Sequence, residues 1–293
     1  MQDKSRGYRI FTVCNYILLT LIALACFYPF YYVVAASISD PEKLMVHSGL
    51  LLKPLGEWTL DGYRMVMANK QIVNGFLNTF FILFAGLAVN LVLTILGAYV
   101  LSLKDLMLRK PLTILVIITM YFSGGMVPMY LNVKDLKMLD SLWSLIIPNA
   151  ITTSNLIIMR SAFLSIPESL SEAAKIDGAS HFQILVKIML PLVKATTVVM
   201  VLYYGVSHWN AWFNASLYMQ TPSKFPLQLV LRNILVESQT TDMMQDIGAD
   251  RTPQVQMLIK YSLIVISSVP ILVIYPFLQR FFQKGVMIGA VKG

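Results

Sequence analysis

Along the chain, long apolar stretches alternate with short segments that hold nearly all of the charge. Six windows contain no Asp, Glu, Lys or Arg: residues 10–39, 71–103, 111–133, 141–159, 195–223 and 261–279. A helix crossing the hydrocarbon core of a bilayer needs about 20 mostly apolar residues. A charge at the centre of such a helix costs about 2.5–3.5 kcal/mol on insertion scales. The pattern therefore predicts an all-α integral membrane protein with six spans, at about 10–38, 74–102, 111–132, 141–162, 194–219 and 257–279. A tail (1–9) expected in the cytoplasm precedes the six-helix membrane domain (10–279), and a second such tail (280–293) follows it. Lys4, Arg6 and Arg9 give the first window the flank of a signal peptide. Its apolar run far exceeds the 7–15 residues of a signal h-region, so an uncleaved first helix is expected.

The connectors differ in kind. In the 40–70 segment, Thr59 to Met67 reads as a short amphipathic surface helix, and the 221–256 segment is long and polar, with Asp242, Asp246, Asp250 and Arg251. The segment from 160 to 194 is over thirty residues long where a short turn would suffice. Ser165 with Glu168 predicts a capping box, and Pro167 falls in the tolerated first turn. Gly178 is placed to end that helix in a left-handed conformation. A second helix is expected to carry Phe182, Leu185, Val186 and Met189 along one face, with a break at Pro191. The result is two short helices joined at a glycine, the first rich in small residues (Ala173, Ala174, Ala179). Periodicity alone fits two roles equally: a knob for another protein's groove, or an amphipathic helix on the inner leaflet.

Composition sharpens the membrane reading. Of the 293 residues, 57% are hydrophobic and 13% charged, with a mean hydropathy of +0.67. Soluble domains carry about a quarter charged residues. With the amino terminus inside, 13 Lys and Arg fall on inner segments and 9 on outer ones, and acidic residues divide 5 to 10. That bias points both termini to the cytoplasm. The net charge of +8 comes without any basic run interleaved with aromatics, so nucleic acid is not an expected partner. Cys14 and Cys26 share one apolar stretch and suit neither a disulfide framework nor a metal site.

The candidate chemistry is that of passage. No G-x-x-x-x-G-K-[ST] loop is present, so the chain is not itself a P-loop ATPase, and no catalytic triad or metal-spaced His/Cys cluster is evident. Buried polar groups in a membrane often mark a pathway. Tyr203, Tyr204, His208, Trp209, Asn210, Trp212 and Asn214 supply aromatic faces and amides, and Asn155 lies in the fourth span. Each has a plainer role open to it: an interfacial belt for Trp and Tyr, or a bond to a neighbouring helix for Asn and His. Gly124-Gly125, Pro270 and Pro276 read as helix bends without ligand significance.

Glu172-Ala173-Ala174, then three residues, Gly178, then nine residues, Ile188-Met189-Leu190-Pro191 resembles the EAA signature of ABC-importer permeases at every fixed position. The resemblance covers nearly the whole chain and is to the carbohydrate-uptake, maltose-permease-like subtype. It is nearer still to permeases for aldouronate, rhamnogalacturonan or alginate oligosaccharides, on three stretches. These are Phe122-Ser-Gly-Gly-Met-Val-Pro-Met-Tyr130, Val206-Ser-His-Trp-Asn-Ala-Trp-Phe-Asn214 and the tail from Gln279 to Gly293. It implies the type I importer permease fold in a bacterial cytoplasmic membrane. Glu172, Ala173, Ala174, Asp177, Gly178, Ile188, Leu190 and Pro191 would form a coupling segment docked on an ATPase. Lys284, Gly285, Gly289 and Lys292 would make a second contact with it.

The partners implied are a second homologous permease, two ATP-binding cassette subunits that hold ATP and Mg, an extracytoplasmic solute-binding protein and an oligosaccharide, including acidic ones. The chain itself would hold no cofactor, and the 221–256 segment would face the binding protein. Two other readings stay open: a gradient-driven secondary transporter, disfavoured by carboxylate-free windows, and a permease of the same superfamily for a non-sugar solute.

Overall fold

The computed structural model describes residues 6–236 and 253–290, with side chains for 7–236, 253–274 and 276. Among these residues every regular element is helical. The helices are α1 (Arg6–Ser37), α2 (Pro41–Val46), α3 (Asp61–Ala68), α4 (Lys70–Ser102), α5 (Arg109–Tyr121), α6 (Met126–Asp135), α7 (Thr153–Leu164), α8 (Glu168–Ile176), α9 (His181–Ile184), α10 (Leu190–Leu192), α11 (Lys194–Trp209), α12 (Phe213–Tyr218), α13 (Leu227–Val236) and α14 (Pro253–Ala290). Among the described residues, Gly7–Ser37, Lys70–Ser102 and Pro253–Ile274 are each long and apolar enough to span. Three bent pairs raise the number to six: α5 with α6 at 112°, Leu142–Asn149 with α7 at 50°, and His181–Leu192 with α11 at 85°.

The chain divides into two compact units. The first takes its described residues from Met1–Lys70 and Asn233–Val269. Ala35, Ala36, Leu44 and Leu51 pack there with Tyr31, Tyr32, Met257 and Tyr261. The Tyr28 hydroxyl accepts from the Leu51 amide at 2.8 Å, and the Tyr31 hydroxyl donates to the Leu52 carbonyl at 2.6 Å. The amphipathic helix expected around Thr59–Met67 forms as α3, with Asp61, Arg64 and Met67 exposed and one face turned inward. Gly62 and Val66 are buried, and a Cβ on Gly62 would lie 2.4 Å from Ser262 Oγ and 2.8 Å from Leu258 Cγ on α14.

The second unit comprises Gln71–Arg232 and the described residues of Pro270–Gly293. Its ruler is α4, whose 33 residues extend about 50 Å at 1.5 Å per residue. Gly75, Thr79, Ile82, Gly86, Asn90, Thr94, Ala98 and Ser102 are buried. This stripe of small and polar side chains recurs every three or four residues, the membrane pattern in which small residues admit close neighbours. Two apolar clusters sit at separate heights on the ruler. One contains Ile82, Val133, Leu145, Ile146, Ala215, Tyr218 and Leu229. The other contains Ala98, Tyr99, Met159, Phe163, Ile184, Leu185, Met189, Met200 and Tyr204. Ile82 and Ala98 are about 24 Å apart along the helix, and Asn90 falls midway.

Several expectations are corrected. The stretch 111–132 is not one straight helix: it breaks at Phe122–Gly125, where Gly125 has φ +86°. In 194–219, α11 stops at Trp209 and the chain turns before α12. Its 16 residues reach only about 24 Å. The break expected at Pro191 before the fifth span is present and falls two residues on, at Val193 (φ −100°, ψ 21°), with Pro191 itself inside Leu190–Leu192. The π-turn Leu185–Met189 precedes it, with the Leu190 amide bonded to the Leu185 carbonyl. That widening accommodates a ring which would clash with a regular turn. Pro270 and Pro276 lie within the continuous α14, which extends through most of the expected 280–293 tail.

Candidate functional site

The connector between α7 and α11 folds as two short helices joined at Gly178. Ser165 does not make the expected capping box: its hydroxyl donates to the Ala162 carbonyl at 2.7 Å, closing α7. Pro167 takes the N-cap position of α8, and Glu168 pairs instead with Lys104 from the loop after α4. The capping box lies one helix later, where Ser180 Oγ accepts from the Gln183 amide and Gln183 Oε1 from the Ser180 amide. The end of α8 follows from hydrogen-bond accounting. The Gly178 amide donates to Lys175 O at 3.0 Å and the Ala179 amide to Ala174 O at 2.9 Å. Those are the paired bonds of a Schellman turn, and Gly178 has the required φ of +80°.

Glu172, Ala173, Asp177 and Gly178 are exposed along this knob, as is Ile176, at 86%. Ala174 and Leu190 pack against the cluster of Tyr99 and Phe163, and Ile188 is half-buried while Pro191 is exposed. The second helix buries Ile184, Leu185 and Met189, whereas Phe182 and Val186 of the expected apolar face are exposed. Ion pairs strap α8 to the end of α4: Lys104 with Glu168, and Lys175 Nζ with Asp105 Oδ2 at 3.3 Å. Glu172, Lys104, Lys175 and Ser171 line a cleft of about 170 Å³ between them. Arg160 Nε donates to Leu101 O at 3.0 Å, and the Tyr99 hydroxyl lies 3.1 Å from His181 Nδ1. Lys284, Gly285 and Gly289 fall on the last turns of α14, where no side chain is described, and Lys292 lies outside the described residues. Asp242, Asp246, Asp250 and Arg251 also lie outside them.

The helix breaks at 122–125, 150–152 and 210–212 border two cavities, whereas the bend at Val193 lies at the knob. A cavity of about 450 Å³ is lined by Ser123, Gly125, Met129, Asn132, Asn149 and Asn214 among others. A smaller one of about 100 Å³ is lined by Asn149, Thr152, Tyr204, Ser207, His208 and Asn214. Asn149 and Asn214 border both. Irregular backbone at membrane depth is tolerated where protein buries it or where it lines a wet cavity, so the breaks and the cavities account for each other. The walls hold amides, hydroxyls and aromatic rings, a combination suited to a hydroxyl-rich solute.

A buried network fixes one wall. Asn90 Nδ2 donates to Asn149 O at 3.0 Å and Ala150 O at 2.8 Å. Its Oδ1 therefore faces His208 Nε2, 2.6 Å away. An amide oxygen only accepts, so Nε2 carries the hydrogen of this bond. A Cβ on Gly86 would sit 2.4 Å from that same Nε2, so glycine is what lets the ring lie against α4. The Tyr204 hydroxyl accepts from the Thr152 amide at 3.1 Å and bonds Thr94 Oγ1 at 2.7 Å.

Of the sequence-predicted pathway residues, Tyr204, His208 and Asn214 come together at the cavities. Trp209 is buried against Phe80 instead. Tyr203 lines neither cavity, and Asn210 Nδ2 donates to Val206 O. Trp212 carries the Arg232 guanidinium over its ring at 4.9 Å, and Asn155 is buried in α7 away from both linings. Asn90, Asn132 and Asn149 were not anticipated. Their signal was the polar interruption of apolar windows, and for Asn90 its place in the four-residue stripe of α4.

Long apolar helices, spans broken around a polar cavity and an exposed knob define a multi-pass membrane transport component. The chain belongs to the family described as binding-protein-dependent transport system inner membrane component, whose model matches residues 62–288. It is 41% identical to the polygalacturonan/rhamnogalacturonan transport system permease protein YtcP of Bacillus subtilis, over 97% of this chain and 99% of that one. It is 40% identical to protein LplC of the same organism, over 100% and 98%. It also resembles a chain of a bacterial ABC transporter involved in the import of the acidic polysaccharide alginate. There the TM-score is 0.88 and the identity 30%, over 96% of this chain and all of that one. The chain is a multi-pass protein of the bacterial inner membrane.

Proposed function

We propose that the chain is a permease subunit of an ATP-driven importer for oligosaccharides, uronate-containing ones among them, and that it forms half of the translocation pathway. The observation that carries this reading is the pairing of a cavity at the helix breaks with an exposed knob strapped to α4. ATP hydrolysis falls to a pair of cassette subunits that grip α8 at Glu172–Gly178, with the last turns of α14 and the residues beyond as a second contact. Both termini face the cytoplasm, a second, homologous permease completes the pathway, and an extracytoplasmic binding protein delivers the sugar. Closure of the ATPase pair moves α8, and the ion pairs at Lys104 and Lys175 pass that movement to α4. The spans then turn as rigid bodies and change the side from which the cavity is reached.

Support for the sugar class comes from the amides and hydroxyls among the apolar groups of the cavity walls and from what the relative YtcP and the structural neighbour are named for. The test is reconstitution with the co-expressed permease, ATPase and binding protein in vesicles. Oligogalacturonides should stimulate ATP hydrolysis and enter the lumen, whereas amino acids should do neither. Stimulation by a neutral maltodextrin and not by oligogalacturonides would overturn the acidic-sugar assignment.

A further inference from the structure

Asp140, between α6 and the Leu142–Asn149 turns, gathers bonds from the end of α12 and the residues after it. Its Oδ1 accepts from the amides of Gln220 and Thr221 at 3.0 and 2.9 Å. Its Oδ2 accepts from Thr221 Oγ1 and from Lys224 Nζ, each at 2.7 Å. The Asp140 amide donates to Tyr218 O at 2.8 Å, and Lys224 Nζ also reaches the Asp140 carbonyl at 2.8 Å. The residue holds φ at +56°, a left-handed conformation that non-glycine residues adopt rarely and that surroundings must enforce. Lys224 first, then the Thr221 and Gln220 amides, hold its carboxyl well below the usual carboxylate range.

What these bonds join is informative. On one side lies α6, whose Met129 and Asn132 line the larger cavity; on the other lies α12, whose Asn214 and Tyr218 line it too. Tyr130 stacks on Tyr218 with ring centroids 6.3 Å apart. The turns that start just after Asp140 lead to Asn149. The loop that joins α6 to the Leu142–Asn149 turns is thus tied through one carboxylate to the chain that follows α12, while the breaks at Phe122–Gly125 and Asn210–Trp212 lie at the other ends of α6 and α12. A carboxylate caught by two backbone amides and an ammonium is a durable fastening, since charge-assisted bonds are the stronger class.

We infer that Asp140 is a positioning residue for transport: a permanent clasp that holds α6, the Leu142–Asn149 turns and α12 as one wall while the rest of the cavity rearranges. The inference rests on the transport reading above and adds that no opening occurs between these segments during the cycle.

The test uses the assembled transporter in vesicles, with Cys14→Ala and Cys26→Ala as the parent. Asp140→Cys and Thr221→Cys are added, because these two side chains already touch. Reduced, the pair lacks the clasp, and the KM for oligosaccharide uptake should rise about tenfold, the scale of a small misplacement of binding groups. Oxidised, the disulfide replaces the clasp and the parental KM should return, a recovery that loss of folded protein would not show. Uptake blocked or left impaired by oxidation would overturn the inference, as would a parental KM in the reduced pair or failure of the disulfide to form. Asp140→Asn, which keeps the side-chain shape, should give a smaller rise in KM at an unchanged amount of complex; a parental KM there also overturns it. If the cysteine-free parent itself takes up no sugar, the transport reading fails first.

Discussion

The two packed clusters along α4 are fastened in opposite ways. At the Tyr99–Phe163 cluster the connector is long, and its helix α8 is held by two exposed ion pairs while most of its surface faces outward. At the Ile82–Tyr218 cluster the connectors are short and tied by one carboxylate with several partners. Exposed ion pairs contribute little, about 0–1 kcal/mol each, so the first region stays firm only if something grips α8 from outside. In the second, the Lys224 side chain is partly exposed too, but two backbone amides and a hydroxyl bind the same carboxylate. On the proposed function, the difference separates a driven end from an end that stays whole, with the cavities and the Asn90–His208 network between them.

The comparison breaks most completely if the midpoint is disturbed. Gly86→Val would press a branched side chain into His208 and should cost about 1–3 kcal/mol, the usual range for overpacking. The solubilised protein should melt at lower temperature, and uptake should be lost. Tyr204→Phe removes the bonds to Thr94 and Thr152, and about 1 kcal/mol is expected. Its effect should appear chiefly as a raised KM for the sugar, because the freed Thr152 amide borders the smaller cavity. Reversing the strap with Lys104→Glu should change stability by under about 1 kcal/mol yet lower the sugar carried per ATP. Adding Glu168→Lys should restore that ratio, and a ratio untouched by either change would remove the strap from the force path.

The smallest effect expected is that of acid on the clasp. A depressed carboxyl contributes its stability fully above its unfolded pKa of about 3.9 and loses it as pH falls through the lower folded value. The difference in melting temperature between the parent and Asp140→Asn should therefore be constant from pH 7 to pH 5 and shrink only in stronger acid.

Much of the architecture could be read from the chain because a charge in hydrocarbon is so costly that charge-free windows must be spans. Breaks within those windows were harder to read, since a window shows cost and not conformation. Gly124-Gly125 hinted at one, but Asn149–Thr152 and Asn210–Trp212 offered no left-handed glycine. The inward faces were hidden for a related reason. In water an apolar stripe marks the core, whereas on α4 the buried stripe is Gly86, Asn90, Thr94 and their like. Gly178 was legible because only a left-handed turn explains a glycine there. Ser165 misled because its hydroxyl had a nearer acceptor in Ala162, and the capping box passed to Ser180 and Gln183.

Gly178→Val tests the driven end most directly, because its Cβ meets open space and only the left-handed backbone is strained, by about 1–2 kcal/mol. In vesicles holding the full transporter, ATP hydrolysis and sugar uptake should be measured together. The account predicts hydrolysis that persists while uptake collapses; uptake at the parental ratio to ATP would contradict it.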